Sequence, residues 1–178
     1  DWKESILPVA KNIKQKLEKK GFRVELDDRE QFTPGWKFSE WEMKGVPLRL
    51  EIGPRDIKNN KAVLVRRDNR DKKIVAQDEL ETQIQEILSN IQKDMFDKSL
   101  KFREDNTHEV ENYQDFVSVM ESEMGFIKAY WCGDPDCETK IKEGTKATIR
   151  AVVSEKEKGK CVCCGKEAGF LVYFAKAY

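Results

Sequence analysis

All five cysteines of this chain of 178 residues lie in its last 47 positions, and no other feature restricts the fold so much. They fall into two groups. Cys132-Gly-Asp-Pro-Asp-Cys137 is C-x4-C, and Cys161-Val-Cys163-Cys164-Gly165 contains C-x2-C followed by glycine. An odd number of cysteines gathered in close pairs does not suit a disulfide framework. It suits a metal site in a reducing compartment. Turns of this kind aim two thiolates at one ion while backbone amides soften their charge. Four thiolates close a tetrahedral zinc site and leave no position for water, so zinc would be structural. The predicted ligands are Cys132, Cys137, Cys161 and Cys164. The spacing also permits Cys161 and Cys163 as the second pair. Unliganded buried cysteines are the plainer alternative, and a redox C-x2-C would need a thioredoxin-like βαβ setting that the pattern lacks. Removal of the metal is expected to unfold residues 126–178.

Hydrophobic periodicity supplies the rest of the framework. Ile6, Val9, Ala10, Ile13 and Leu17 recur at helical spacing over residues 4–20, with Gly21 as the stop. Phe22, Val24 and Leu26 alternate with charged residues and predict a strand. Pro34 opens a short predicted helix that Gly45 ends. Val46, Leu48, Leu50 and Ile52 predict a second strand, and residues 62–65 and 73–75 predict two more around an Asp68-Asn69 turn. Residues 78–104 carry the longest apolar stripe, from Leu80 through Ile84, Ile87 and Ile91 to Leu100, and residues 110–124 carry a second. Beyond 125 the pattern becomes short strands, 126–131, 147–153 and 170–174, between cysteine-bearing turns. A charged connection, 154–160, precedes the second cysteine group. The predicted fold is an α/β domain, a mixed sheet flanked by helices, over residues 1–105, followed by a small α+β zinc-binding domain over residues 106–178.

Charge and composition narrow the function. The net charge is zero, but residues 1–77 hold 19 Lys and Arg against 13 Asp and Glu, and the remainder is correspondingly acidic. A phosphate-bearing partner would favour the first part. No apolar run approaches the roughly 18 residues of a membrane span. His108 is the only histidine and has no cysteine near it in sequence. No Walker-type loop and no Ser/His/Asp set stands out, so no catalytic residue is assigned.

A second constellation runs from Thr33 to Arg49 and interleaves Trp36, Phe38 and Trp41 with Lys37, Glu40, Glu42, Lys44 and Arg49. Aromatics of this kind stack on bases, cations meet phosphates, and a carboxylate accepts from a guanine edge. The same residues also suit a packed core face and a solvated charged face.

At this stretch a resemblance enters. Val24-Glu-Leu-Asp-Asp-Arg29, Thr33-Pro-Gly-Trp-Lys-Phe38, and Glu40-Trp-Glu-Met-Lys-Gly-Val-Pro-Leu-Arg-Leu-Glu-Ile-Gly-Pro-Arg-Asp56 closely resemble the anticodon-binding domain of prolyl-tRNA synthetases, which are class II synthetases. The likeness continues at Ala62–Arg67, at Trp131–Glu138, at Gly144–Arg150, at Gly159–Cys161 and at Ala175–Tyr178, and so covers essentially the whole chain. The cysteine domain ending in tyrosine marks the archaeal and eukaryote-like branch, which some bacteria also carry.

The resemblance implies that residues 1–105 bind the anticodon of tRNA(Pro), whose two guanines are read there. It implies that the domain's first strand is missing before Asp1, and that the ATP, magnesium and proline sites belong to an upstream catalytic domain. The parent is expected to be a cytoplasmic homodimer that attaches proline to tRNA. The chain alone is expected to be inactive, and the terminal Tyr178 is expected to fold back toward the catalytic domain. Arg29, Trp36, Lys37, Glu40, Lys44 and Arg49 are the expected tRNA contacts. A free-standing RNA-binding module with a structural zinc knuckle is the competing reading.

Overall fold

The computed structural model describes residues 2–123, 125–155 and 158–176. Tyr178, part of the charged connection and the last residue of the predicted helix over 110–124 lie outside the described residues. The chain divides into two compact units, one up to Asp97 and the other from Lys98. The sequence expectation of a boundary near 105 corresponds to the end of the long helix that runs through this division.

In the first unit, helices α1 (Trp2–Ser5) and α2 (Leu7–Lys19) replace the single predicted helix, with Pro8 in the opening turn of α2. Helix α3 (Pro34–Met43) starts as the sequence requires. Thr33 Oγ1 accepts from the Trp36 amide at 3.4 Å, and Pro34 occupies the first turn, where its missing N–H is of no consequence. Strands β1 (Leu48–Glu51), β2 (Lys61–Arg66) and β3 (Lys72–Ala76) form an antiparallel sheet in that order, and the short helix α4 (Pro54–Lys58) links β1 to β2. After a 3-10 turn comes α5 (Leu80–Asp105).

The pleat explains the layers. Ala62 and Leu64 of β2 and Val75 of β3 face a core completed by Ile13 and Leu17 of α2 and Leu80, Ile84, Ile87 and Ile91 of α5. Val65 points the other way, into a crevice shared with Phe38 and Trp41 of α3. Helix α3 therefore covers the opposite face of the sheet and carries the aromatic and charged constellation with it.

One sequence expectation fails here. Residues 22–26 join no ladder among the described residues, although Phe22 and Val24 pack against the first core. Alternation states which side of an extended segment meets the interior. It does not supply a neighbouring strand to pair with.

In the second unit, a mixed four-stranded sheet runs β4 (Thr107–Glu109), β5 (Phe126–Trp131), β9 (Phe170–Lys176), β6 (Ala147–Ser154). β4 is parallel to β5, and the other pairs are antiparallel. Helix α6 (Tyr113–Ser122) is capped by Asn112, whose side chain accepts from the Asp115 amide at 2.9 Å. Phe116 and Met120 of α6 pack with Ile127, Ile141, Val172 and Phe174 in a second core. A two-stranded ribbon, β7 (Gly159–Lys160) with β8 (Glu167–Ala168), stands beside this sheet.

Helix α7 (Pro135–Thr145) was not foreseen. It begins inside the first cysteine group. Asp134 caps it by accepting from the Asp136 amide at 2.9 Å, and Pro135 sits in its first turn. That Asp-Pro pair was a legible start signal. Only Cys137, Ile141 and Thr145 of α7 are buried, which is too narrow a stripe for periodicity to reveal.

Candidate metal centre and charged cluster

Two knuckles bring the cysteines together. β5 ends at Trp131, Cys132 follows, and Gly133 turns the chain with φ +89, where a Cβ would also stand only 3.0 Å from the Phe170 ring. Cys137 then lies in the first turn of α7, whose N-terminal amides favour negative charge. The second knuckle is the tip of the β7–β8 ribbon. The Cys161 amide donates to the Lys166 carbonyl at 2.8 Å, the Gly165 amide donates to the Cys161 carbonyl at 2.8 Å, and Gly165 takes φ +73.

The Sγ atoms of Cys132, Cys137, Cys161 and Cys164 all lie within 4.8 Å of one another. Cys132 is 3.7 Å from Cys137 and 3.9 Å from Cys164. A disulfide is about 2.0 Å, so these thiols are not bonded. A tetrahedron of sulfurs at roughly 2.3 Å from a central ion has edges of about 3.8 Å, so the four thiols could hold a metal ion. Cys163 is outside this set. Its neighbour Cys164 belongs to the cluster, while Cys163 packs against both apolar clusters of the unit.

The electrostatics of the donor set point the same way. Burial, with the neighbouring thiols Cys164 and Cys132 adding to it, pushes the Cys137 thiol well up, and burial also raises Cys132. Cys164 is the exception. The Lys166 amide beside it lowers it to about 7. The burial that keeps Cys132 and Cys137 protonated would be offset by a cation at the centre, which favours the thiolate form of its ligands.

The first unit gathers the six expected tRNA contacts around α3 and the loop before it, and it leaves few of them unpaired. Arg29 donates through Nε to Asp27 Oδ1 at 2.9 Å and through Nη2 to Asp27 Oδ2 at 2.6 Å. Its Nη2 also donates to Glu40 Oε2. Lys44 donates to Glu40 Oε1 at 2.8 Å, and its ammonium lies 4.4 Å from the centre of the Trp41 ring. Both carboxylate oxygens of Glu40 are thus engaged, and hydrogen bonds from Arg29 and then Lys44 hold its pKa below the usual value. Lys37 donates to the Asp27 carbonyl at 3.2 Å. Arg49 pairs with Glu51 at 2.7 Å and Glu42 at 2.9 Å, and its guanidinium lies 3.9 Å from the centre of the Phe38 ring. Trp36 is 45% exposed and stacks on Phe32, with ring centres 3.8 Å apart and planes 10° off parallel.

Sequence reasoning missed Asp27 and Phe32. Asp27 sits at the centre of the polar network, and Phe32 covers one face of Trp36. The only sequence signal for either was that Asp27 and Phe32 flank Arg29 closely. The partners Asp27 and Trp41 are far enough apart that only the fold joins them.

The comparisons with known proteins fit this division. Residues 2–87 match the anticodon binding domain family, and residues 113–178 match the family described as prolyl-tRNA synthetase, C-terminal. Over 178 residues, 99% of the chain, it is 52% identical to a proline–tRNA ligase of Clostridium botulinum. It is 50% identical to proline–tRNA ligase 2 of Clostridioides difficile and 47% identical to a proline–tRNA ligase of Alkaliphilus oremlandii over the same span. The chain spans 37% of the length of each of these relatives. No described helix is long and apolar enough to cross a membrane.

Proposed function

From the premise that this chain belongs to the prolyl-tRNA synthetase family, we propose that its first unit reads the anticodon of tRNA(Pro) and that one structural zinc organises its second. The observation that carries the first half is the exposed Phe32–Trp36 stack, with a guanidinium and a carboxylate beside it on one helix and its leading loop. That set offers a platform for an unpaired base, cations for phosphate and an acceptor for guanine. Arg29, Trp36, Lys37, Glu40, Lys44 and Arg49 are the proposed contacts. Activation of proline with ATP and magnesium, and its transfer to the tRNA 3′ end, we assign to the part of the family's length that this chain does not span. The homodimeric state and the cytoplasmic setting belong to the same proposal.

Glu40 is the residue to test. As a carboxylate it only accepts, and each oxygen has a second lone pair beyond the bonds from Arg29 and Lys44. Glu40→Gln keeps the size and removes the charge. It is expected to lower the preference for a tRNA(Pro) anticodon stem-loop over one with altered anticodon guanines by roughly 1–3 kcal/mol, by analogy with bidentate base readout in DNA. If Glu40 serves only its ion pairs, that preference stays unchanged while the protein loses a few tenths of a kcal/mol of stability.

The second half rests on the four-thiol geometry and the spacing that produces it. Cys132, Cys137, Cys161 and Cys164 would hold zinc with no open position, so the ion supplies cross-linking and no Lewis-acid chemistry. Cys163→Ser is expected to leave about one zinc per chain. Metal analysis that finds the zinc gone in this variant, and retained in Cys164→Ser, would move the fourth ligand to Cys163.

A further inference from the structure

We infer that Asp27 is the positioning residue of the anticodon site: its carboxylate clamps one edge of Arg29 so that the free edge is presented beside the Phe32–Trp36 stack. This rests on the anticodon reading proposed above. The Asp27 side chain is only 11% exposed, yet it takes three side-chain donors. Two come from Arg29, through Nε and Nη2, in the parallel fork that fixes a guanidinium plane. The third is Trp41 Nε1, at 2.9 Å from Oδ2, which ties the clamp to α3. The Arg29 amide also donates to Oδ1 at 3.3 Å, and Lys37 holds the Asp27 carbonyl. Arg29 keeps Asp27 well below the usual carboxylate range, so the clamp stays charged at any neutral pH.

The guanidinium has five N–H donors. Nε and Nη2 are spent on Asp27 and Glu40, while Nη1 has no partner among the described residues. The guanidinium carbon lies 4.9 Å from the centre of the Phe32 ring and 5.4 Å from that of Trp36, and the side chain is 34% exposed. A base stacked on this aromatic pair would meet an arginine edge already fixed in place, at little further cost in side-chain entropy. The chemistry that edge takes is a hydrogen-bond acceptor on a stacked nucleotide, either a phosphate oxygen or the acceptor edge of the base. Asp27 touches neither. It acts through Arg29.

The test is a double-mutant cycle on the whole chain, with affinity for a tRNA(Pro) anticodon stem-loop as the readout. Asp27→Asn keeps an oxygen for Trp41 but loses the fork. It is expected to weaken binding about tenfold, the worth of a charge-assisted hydrogen bond. Arg29→Gln is expected to weaken binding at least as much, and Asp27→Asn on the Arg29→Gln background should then add nothing. Full additivity of the two substitutions, or wild-type affinity in Asp27→Asn, overturns the inference while leaving the anticodon reading intact. Absence of binding by the wild-type chain refutes both. A loss equal for the proline stem-loop and an anticodon variant, with a flatter salt dependence, assigns the Arg29 edge to phosphate; a selective loss assigns it to the base.

Discussion

Replacing Cys161 by Ser is expected to release the metal and to abolish slow amide exchange over residues 159–168 and the first turn of α7, while the first unit keeps its fold. Cys161 is the most buried of the four thiols, at 1% exposure, so a serine there can neither ligate well nor find water. Three remaining thiolates leave zinc an incomplete site. In isolated zinc-finger peptides the ion contributes roughly 10–16 kcal/mol near neutral pH. The two-residue strands β7 and β8 could not persist without that cross-link. The loss should reach the main sheet only in part. Val162 belongs to the second core and its amide donates to the Tyr130 carbonyl at 2.9 Å, so the knuckle pulls on β5 when it opens. Each kcal/mol of the loss that does reach the sheet is expected to lower the unfolding temperature of the second unit by roughly 4–8 °C. Hydrogen exchange read by mass spectrometry, with zinc measured on the same sample, checks the pattern. Full zinc retention, or unchanged protection at 159–168, would contradict it.

That outcome is narrower than the unfolding of residues 126–178 expected from the cysteine spacing alone, and the reason shows what a sequence can carry. Ligand spacing is local, so C-x4-C and C-x2-C-G marked the two cysteine groups without any knowledge of the fold, but the spacing left Cys163 and Cys164 both open, and it is the folded knuckle that places Cys164 with the other three. The second core was not readable in the same way. It is assembled from α6, β5, α7, β6 and β9, and its members, such as Phe116 and Phe174, are far apart in sequence. The same distinction separates the helices. α5 was legible because Leu80, Ile84, Ile87 and Ile91 repeat along one stripe, whereas α7 carries its burial on so few positions that only its Asp134-Pro135 cap announced it. On α3 the residue types that suit RNA were visible at once. Their wiring was not, because Asp27 reaches Trp41 and Arg29 reaches Glu40 only after the loop folds back on the helix. The alternation at residues 22–26 reported burial correctly and pairing wrongly for a related reason, since a strand needs a partner that its own sequence does not contain.

Phe116→Ala is expected to cost about 3–5 kcal/mol of stability in the second unit and to leave the metal bound. Phe116 is 0% exposed and meets Phe174 edge to face, with ring centres 5.1 Å apart and planes at 87°, while Tyr113 lies parallel at 6.5 Å. Truncation removes the ring that joins α6 to β9, and the residual cavity is walled by Ile127, Ile141 and Val172, none of which has free surface to collapse from. The aromatic geometry adds to the loss, since edge-to-face pairs are worth about 0.5–1.5 kcal/mol beyond their buried area. Phe116 itself is not in the apolar group of the thiols, in which Cys137 and Cys161 pack with Ala168 and which meets the second core through Trp131 and Cys163. Denaturant unfolding of the Phe116→Ala chain, followed by near-ultraviolet circular dichroism together with a zinc-responsive dye, separates the two. The ring signal of the core should be lost at clearly lower denaturant than in wild type, with zinc released only later. If zinc leaves in the same transition, knuckles and core are one cooperative unit. The confined loss expected for Cys161→Ser would then extend to the whole sheet, because a unit that opens as one from the core side must also open as one from the metal side.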